Sequence, residues 1–200
     1  MKRSGAKHNR WQDHYSQRAK KERFPARSVY KLKEIQKKYG PIKKGNKILD
    51  LGCAPGSWLL YAADLTGNTG QVIGIDLVPV TVRVPPHVKM YTGDILSMDD
   101  AFFRSLGQDF NVVMSDMAPS TTGNRLVDST RSFNLCQMAL TVAQTTLKTG
   151  GSFVCKIFQG EDFKEFSDSV KAVFNRHKIF KPQSTRKVSK EIYIIGFGKK

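Results

Sequence analysis

Four charged residues of the chain stand where lysine–carboxylate chemistry could occur. Lys156 lies inside an apolar run, where a lysine is costly unless a carboxylate pairs with it. Asp116 ends the preceding apolar run, and Glu191 opens the last one and could supply that partner. Lys31 lies on an early stretch with helical periodicity. Side chains of these types can hold, accept or guide a proton, although structural ion pairs would also explain them.

A second group of residues is typical of a nucleotide-binding turn. The segment DLGCAPGSW (50–58) follows an apolar run, and Gly52 and Gly56 let its backbone turn tightly and approach a ligand. Asp76 ends the next run, 24 residues after Gly52, where an acid in doubly wound folds accepts hydrogen bonds from ribose hydroxyls. Asp94 ends the third run and could bind an adenine amino group. Without these acids, the two glycines would indicate only a tight turn.

The glycine spacing distinguishes between cofactors. Dinucleotide-binding folds use GxGxxG with a pyrophosphate at the helix N-terminus, whereas here three residues separate the two glycines. Asp50 points into the same crevice, where it would repel a pyrophosphate but suit adenosine that carries a cationic methionine. Trp58 could line the pocket that holds the methionine part of such a ligand, or it could belong to the hydrophobic core. We therefore predict S-adenosylmethionine as the cofactor, bound by Asp50, Gly52, Gly56, Trp58, Asp76 and Asp94.

The elements that position these residues alternate between short apolar runs and helical patterns. We predict strands at 47–52, 71–77, 88–94, 110–117, 151–158, 177–182 and 191–198. We predict helices near 27–38, 57–65, 99–106, 128–148 and 162–175. This alternation indicates an α/β fold, Rossmann-like, with a seven-stranded, mostly parallel sheet and helices on both faces. Only a short loop precedes the last strand, which should therefore run antiparallel. Ligands bind outside the carboxyl ends of such strands, where Asp116 lies.

The chain is basic, and most of its excess charge lies near the beginning. It holds 33 Lys and Arg against 17 Asp and Glu, and residues 1–47 contain 16 of the former and 3 of the latter. This distribution favours a phosphate backbone as partner over a solvated tail or an anionic membrane. We predict a basic N-terminal arm (1–24) and a single domain (25–200). The lysines expected to bind RNA with the arm, beside the active site, are Lys33, Lys37, Lys38, Lys43 and Lys44.

Other classes of protein are disfavoured. Cys53, Cys136 and Cys155 lack paired spacing, so we predict neither disulfides nor a bound metal. No apolar run approaches the ~18–20 residues that span a bilayer, and no signal-peptide core is present. Asp13 and Glu22 argue against a mitochondrial presequence, which is the alternative to the expected cytoplasmic location. We expect a monomer.

The sequence contexts of the four charged residues resemble a known family. RSVYKL, SDMAP, KIFQG and SKEIY surround Lys31, Asp116, Lys156 and Glu191, and are similar to the Lys-Asp-Lys-Glu tetrad of the FtsJ/RrmJ family of ribose 2′-O-methyltransferases. The similarity runs from about residue 10 to the C-terminus and departs at Ser57, where bacterial members usually have glycine.

The resemblance implies an S-adenosylmethionine-dependent methyltransferase fold and a target. Short single-domain members of the family methylate a uridine ribose in 23S ribosomal RNA of the assembled or late-assembling large subunit. Related branches act on tRNA or mRNA caps. A non-catalytic ribosome assembly factor is a further alternative, and the missing GxGxxG disfavours a nucleotide-dependent oxidoreductase.

The resemblance also implies catalytic roles. The sulfonium methyl is already activated, so the enzyme must align the ribose oxygen with it and guide one proton. Lys156 would accept that proton if uncharged, or orient the hydroxyl if charged, and the sequence leaves both open. Asp116 and Glu191 would orient Lys156 and Lys31, and Asp116 could also contact the methionine end of the cofactor.

Overall fold

The computed structural model describes residues 10–120 and 122–200. Its strands are β1 (Lys47–Leu51), β2 (Gln71–Asp76), β3 (Val88–Thr92), β4 (Phe110–Ser115), β5 (Leu147–Phe158), β6 (Phe174–Phe180) and β7 (Glu191–Lys199). Its helices are α1 (Arg10–Lys21), α2 (Val29–Tyr39), α3 (Ser57–Thr66), α4 (Asp100–Ser105), α5 (Arg125–Thr146) and α6 (Phe163–Val173). Residues 1–9 of the expected basic arm lie outside the described residues.

The strands form one sheet in the order β3-β2-β1-β4-β5-β7-β6. The chain builds outward from β1 to β3 and then returns to place β4 on the other side of β1, all in parallel pairings. Strand β7 inserts between β5 and β6 and runs antiparallel to both. The predicted Rossmann-like α/β fold with an antiparallel final strand is thereby confirmed. Its topological switch point, where ligands bind in such sheets, lies between β1 and β4.

Alternation along the strands decides which side chains share a face of the sheet. One core, under α4, α5 and α6, takes Leu49, Ile73, Val113, Cys155 and Ile194 from the strands. The other core, under α2 and α3, takes Ile48, Val72, Val112, Val154 and Tyr193. Two-residue spacing from this second set puts Asp50, Lys156 and Glu191 on the α2/α3 side. Polar residues from three different strands thus lie on the side of the sheet that the helix carrying Lys31 covers.

Two helices differ from the sequence-based expectation. Helix α5 begins at Arg125 rather than near residue 128, because Asn124 Oδ1 caps it by accepting from the backbone N–H groups of Leu126 and Val127, at 3.0 and 3.4 Å. Helix α1, which lies in the predicted basic arm, packs against α2, and Ala19 forms a buried cluster with Val29 and Tyr30.

Contacts between α2 and the turn that follows α1 also change the expectation for one RNA-binding lysine. Lys33 Nζ lies 2.5 Å from Glu22 Oε2 and 4.6 Å from the centre of the Phe24 ring. Its charge is therefore compensated within the protein. The exposed members of the expected RNA-binding set are Lys37, Lys38, Lys43 and Lys44.

The described residues also bear on cysteines, metals and membranes. Cys53, Cys136 and Cys155 are buried free thiols. Within residues 10–120 and 122–200, no group of three or more His, Cys, Asp or Glu side chains is placed to hold a metal ion. No helix in the same ranges has both the length and the apolar character needed to cross a membrane.

Candidate active site

Asp116 stands directly after β4 and lies between two lysines. Lys156 Nζ is 3.2 Å from Asp116 Oδ1 and also donates a hydrogen bond to the backbone carbonyl of Asp116. Lys31 Nζ, on α2, approaches the same carboxylate oxygen to 4.0 Å. The Lys156 side chain is only 5% exposed, so its charged end has been taken out of bulk water and depends on these acceptors.

Glu191 extends the cluster on the other side of Lys31. Its Oε1 accepts a hydrogen bond from Lys31 Nζ, and its Oε2 accepts one from the Ser189 hydroxyl at 2.8 Å. Glu191 begins β7 opposite Phe158, the last residue of β5, which brings it to the carboxyl end of that strand. The structure therefore brings together all four tetrad residues, with charges that alternate in sign from Lys156 to Glu191.

Tyr193 is a further member of the cluster that the sequence analysis missed. Its hydroxyl donates a 2.6 Å hydrogen bond to Asp116 Oδ1, and its ring stacks on Trp58 with centroids 5.8 Å apart. Burial, then the charges of Asp116 and Glu191, raise the Tyr193 pKa well above its usual value, so the hydroxyl stays a donor. The available signal was its position two residues after Glu191, which puts both side chains on one side of the strand.

The carboxylate of Asp116 keeps its negative charge at neutral pH. Burial acts to raise the pKa of Asp116, but the charges of Lys156 and Lys31 and the hydrogen bond from Tyr193 outweigh it and lower the pKa below 3.8. A stable negative charge between two lysines fixes the direction in which each lysine points.

Asp116 also lines a cavity of about 300 Å³ at the switch point of the sheet. Three of the residues predicted to bind the cofactor, Gly52, Asp76 and Asp94, line the same cavity. The other lining residues are Ala54, Leu77, Gly93, Ile95, Met117, Ala118 and Leu135. The cavity thus combines apolar walls with carboxylates from three strand ends, as small-molecule sites commonly do.

Asp76 holds the glycine turn in place. Its two carboxylate oxygens accept hydrogen bonds from the backbone N–H groups of Ala54, at 2.8 Å, and Val78, at 2.9 Å. Gly52 has φ +79°, and a Cβ added there would come within 2.5 Å of Met117 Cγ. Only glycine allows the turn to lie this close to the loop that follows Asp116.

The other three residues predicted to bind the cofactor do not line the cavity. Asp50 is fully buried, and neither carboxylate oxygen has a hydrogen-bond partner among the described residues. Gly56 abuts Val80 and Val82. Trp58 is buried in the core, where its indole N–H donates to the backbone carbonyl of Ser28 at 2.9 Å. Their cofactor-binding roles stay predictions.

The donor set fits S-adenosylmethionine. Burial, followed by the charges of Asp116 and Asp76, raises the pKa of Asp50 well above its usual value. Asp50 lies two residues before Gly52, and its buried carboxyl has no partner among the described residues, so a cationic ligand suits it and an anionic one does not. Asp76 and Asp94 supply acceptors suited to ribose hydroxyls and an amino group.

A second opening lies on the other side of Lys31 and Glu191, next to α2. It measures about 390 Å³ and is lined by Ala26, Arg27, Ser28, Lys31, Ser184, Arg186, Val188, Ser189 and Glu191. Glu34 fixes its rim, because its carboxylate accepts from the backbone N–H groups of Gln183 and Ser184 at 2.6 and 2.9 Å. The cluster of Lys156, Asp116, Lys31 and Glu191 therefore has a cavity on each side.

Solved structures share this fold. A ribosomal RNA methyltransferase from Plasmodium falciparum superposes with a TM-score of 0.77 at 27% identity, covering 88% of this chain and 98% of that one. Fibrillarin of Aeropyrum pernix, solved with bound S-adenosyl-L-methionine, superposes with a TM-score of 0.60 over 78% of this chain and 68% of that one. At 18% identity, the fibrillarin likeness concerns the fold alone.

Sequence relatives match over nearly the whole chain. A ribosomal RNA large subunit methyltransferase E from Desulforapulum autotrophicum is 58% identical over 198 residues, covering 99% of this chain and 98% of the relative. One from Desulfatibacillum aliphaticivorans is 54% identical over 192 residues, covering 96% and 93%. The model of the FtsJ-like methyltransferase family matches residues 24–199. The chain belongs to the FtsJ-like methyltransferase family.

Proposed function

We propose that the chain uses S-adenosylmethionine to methylate the ribose 2′-hydroxyl of a uridine in 23S ribosomal RNA, on the assembled or late-assembling large subunit. The observation that carries this proposal is the position of Asp116, which lines the cofactor cavity and contacts Lys156. The Asp116 carboxylate therefore connects the cavity, where a methyl donor fits, with Lys156, which can hold a hydroxyl. Relatives named for large-subunit ribosomal RNA match the chain over nearly its full length.

Four residues of the cavity would hold the cofactor. Asp76 would accept from the ribose hydroxyls, Asp94 from the adenine amino group, and Asp116 would face the methionine end. Gly52 lets the backbone approach without a side chain in the way. When bound, S-adenosylmethionine supplies a methyl group on a positively charged sulfur, already activated for transfer to oxygen.

Lys156 would position the ribose hydroxyl. A charged lysine has three N–H donors, and two of them are used by Asp116, through Oδ1 and the backbone carbonyl. The third is left for the hydroxyl oxygen, which is thereby aligned for in-line attack. An uncharged Lys156 in the same place would accept the hydroxyl proton instead, whereas beside a charged Lys156 that proton would pass to water as the oxygen takes the methyl group. Lys31, which donates to Glu191, would approach the same carboxylate oxygen of Asp116 and help to hold it in place.

The opening next to α2 would receive the RNA. Its rim carries Arg27 and Arg186, whose guanidinium groups suit phosphate, and Lys31 lies at its inner end. The basic arm of residues 1–24 would extend this contact. We propose further that the enzyme acts in the cytoplasm as a monomer.

Methyl transfer to defined RNA tests the proposal. Large subunits, tRNA and capped mRNA from cells that lack the gene are incubated with the purified protein and tritiated S-adenosylmethionine. The label should enter 23S ribosomal RNA, and ribose-methylation mapping should assign it to one uridine. Label in tRNA or in caps would support the related branches of the family instead, and no label in any RNA would refute the enzymatic role.

A further inference from the structure

A basic groove lies beside the edge strand β6, near the end of α2 that is farther from Lys31. It measures about 500 Å³ and carries four cationic side chains from three parts of the chain, Lys38, Lys43, Arg176 and Lys178. Its other lining residues are Tyr39, Gly40, Pro41, Gly150, Ser152, Phe197 and Gly198. We call these eleven residues the distal groove. Elements far apart in sequence, the end of α2 and strand β6, thus present like charges to one space.

Within the described residues, no carboxylate compensates the positive charge of the distal groove. All four cations are exposed, and none of them forms an ion pair with a carboxylate in the described part of the chain. No Asp or Glu is among the lining residues. Like charges that face a common groove repel one another and concentrate a positive potential there, which a polyanion relieves.

Aromatic rings support two of the four cations, Lys38 and Arg176. The ring of Tyr39 lies 5.6 Å from that of Phe180 and 6.2 Å from that of Phe197. Lys38 Nζ lies 4.7 Å above the Phe180 ring, and the Arg176 guanidinium carbon is 5.7 Å from the Phe197 ring. Cations that rest on rings lose less side-chain freedom when a ligand binds, so the groove is prepared for a charged partner.

The distal groove shares a helix and a strand with the active site. Strand β7 begins at Glu191 and reaches Phe197 six residues later, which is about 20 Å at the usual rise of a strand. Helix α2 carries Lys31 at one end and Lys38 at the other, about 10 Å apart along its axis. Because both sites lie on the α2 side of the sheet, one structured RNA could contact both.

We propose that the distal groove binds the phosphodiester backbone of the substrate RNA at a point about 10–20 Å from the methylated ribose. This inference rests on the proposed function, since it takes the substrate to be RNA. Arg176 and Lys178 of β6 are new to the expected RNA-binding set. Together with Lys38 and Lys43 they form an anchoring site that is separate from the tetrad. Such an anchor contributes affinity without sequence preference and fixes the register of the RNA against Lys156.

Charge removal in the groove tests the proposal. The double variant Arg176→Gln/Lys178→Gln is compared with Arg83→Gln/Lys89→Gln. The second variant removes the same charges from exposed positions near β3, at the other edge of the sheet, which form no ion pair with any described residue. Binding to naked 23S ribosomal RNA and to unmethylated large subunits is measured as a dissociation constant at several salt concentrations. Binding of S-adenosylmethionine and Tm serve as controls for the folded state.

The groove variant should bind naked RNA about tenfold more weakly, with the slope of log K against log salt reduced by about 1.4–1.8, while the control keeps the wild-type slope. Equal slopes for the two variants would overturn the proposal. Weaker binding to large subunits with unchanged binding to naked RNA would also overturn it, because the partner would then be an acidic ribosomal protein. Since these measurements need no methyl transfer, failure of the proposed reaction would be seen separately.

Discussion

The Tyr193 hydroxyl and the Lys156 amino group converge on one carboxylate oxygen, Asp116 Oδ1, at 2.6 and 3.2 Å. These two residues are also register partners, Tyr193 on β7 and Lys156 on β5. The antiparallel last strand therefore delivers a neutral donor beside the lysine. Because Tyr193 and Lys156 both contact the Asp116 carboxylate, it cannot rotate freely, and the Lys156 amino group keeps a fixed orientation.

Tyr193→Phe tests this positioning role. The variant keeps the ring that stacks on Trp58 and removes only the donor, a hydrogen bond to a charged group that contributes about 1.5–3 kcal/mol. We expect kcat for methyl transfer to fall roughly tenfold or more and the affinity for S-adenosylmethionine to change little. Tyr61→Phe, a half-buried tyrosine packed against Phe24, is the matched control. Equal kcat values for both variants would show that the hydroxyl does not position Asp116.

Glu34 is expected to hold the loop that leads to Glu191. Glu34→Ala leaves the backbone N–H groups of Gln183 and Ser184 without their acceptor, so the loop should open more often. We predict faster tryptic cleavage at Arg186 and Lys187, with a several-fold loss of methyl transfer, and a smaller effect for Glu34→Gln, which keeps one acceptor oxygen. Glu161→Ala, an exposed glutamate, should leave both rates unchanged. If Glu34→Ala were cleaved at the wild-type rate, Glu34 would not hold the loop that leads to Glu191.

Asp50 is expected to destabilise the cofactor-free protein as the pH rises. Its pKa in the folded chain lies above 3.8, chiefly because of burial, so ionisation favours the unfolded state. The protonated carboxyl therefore contributes its full stability below pH 3.8, and this contribution is lost as the pH rises through the pKa of Asp50 in the folded state. Asparagine cannot ionise, and Asp50→Asn should gain stability relative to the wild type with increasing pH.

Thermal unfolding between pH 5 and 8 measures this gain. In a chain of this size, each kcal/mol of added free energy of unfolding raises Tm by about 2–4 °C. Asp64→Asn, which removes an exposed carboxylate on α3, is the control and should show no such trend. Asp50→Asn should also bind S-adenosylmethionine more weakly. A Tm difference that stays constant or shrinks with pH would contradict the assignment of Asp50 as a buried carboxyl without a partner.

Much of the fold was predictable because it depends on local patterns. Each apolar run became a strand, and the short loop before the last run correctly predicted the antiparallel β7. The convergence of Lys156 and Asp116 follows from the same logic. Both follow buried residues of the α2 side by two positions, and both come directly after Ser115 and Cys155, the last register pair of two neighbouring parallel strands. Alternation and strand order together bring such residues into contact.

The rest required tertiary contacts that no pattern encodes. Tyr193 looked like one more apolar strand residue, because its role depends on where its hydroxyl ends after the sheet is assembled. Lys33 looked like an exposed RNA-binding lysine, but the turn after α1 places Glu22 against it. Likewise, Arg176 and Lys38 are 138 positions apart in the sequence, and only the pairing of β6 with β7 places them in one groove.

Methyl transfer by Lys156→Ala tests the central claim most directly. The assay measures tritium incorporated from S-adenosylmethionine into unmethylated large subunits, beside calorimetric titration of the cofactor, with Lys164→Ala on the exposed face of α6 as control. We predict that Lys156→Ala loses transfer by about 10²–10⁴-fold or more while it still binds the cofactor, and that Lys164→Ala behaves as wild type. Transfer by Lys156→Ala at the wild-type rate would contradict the account.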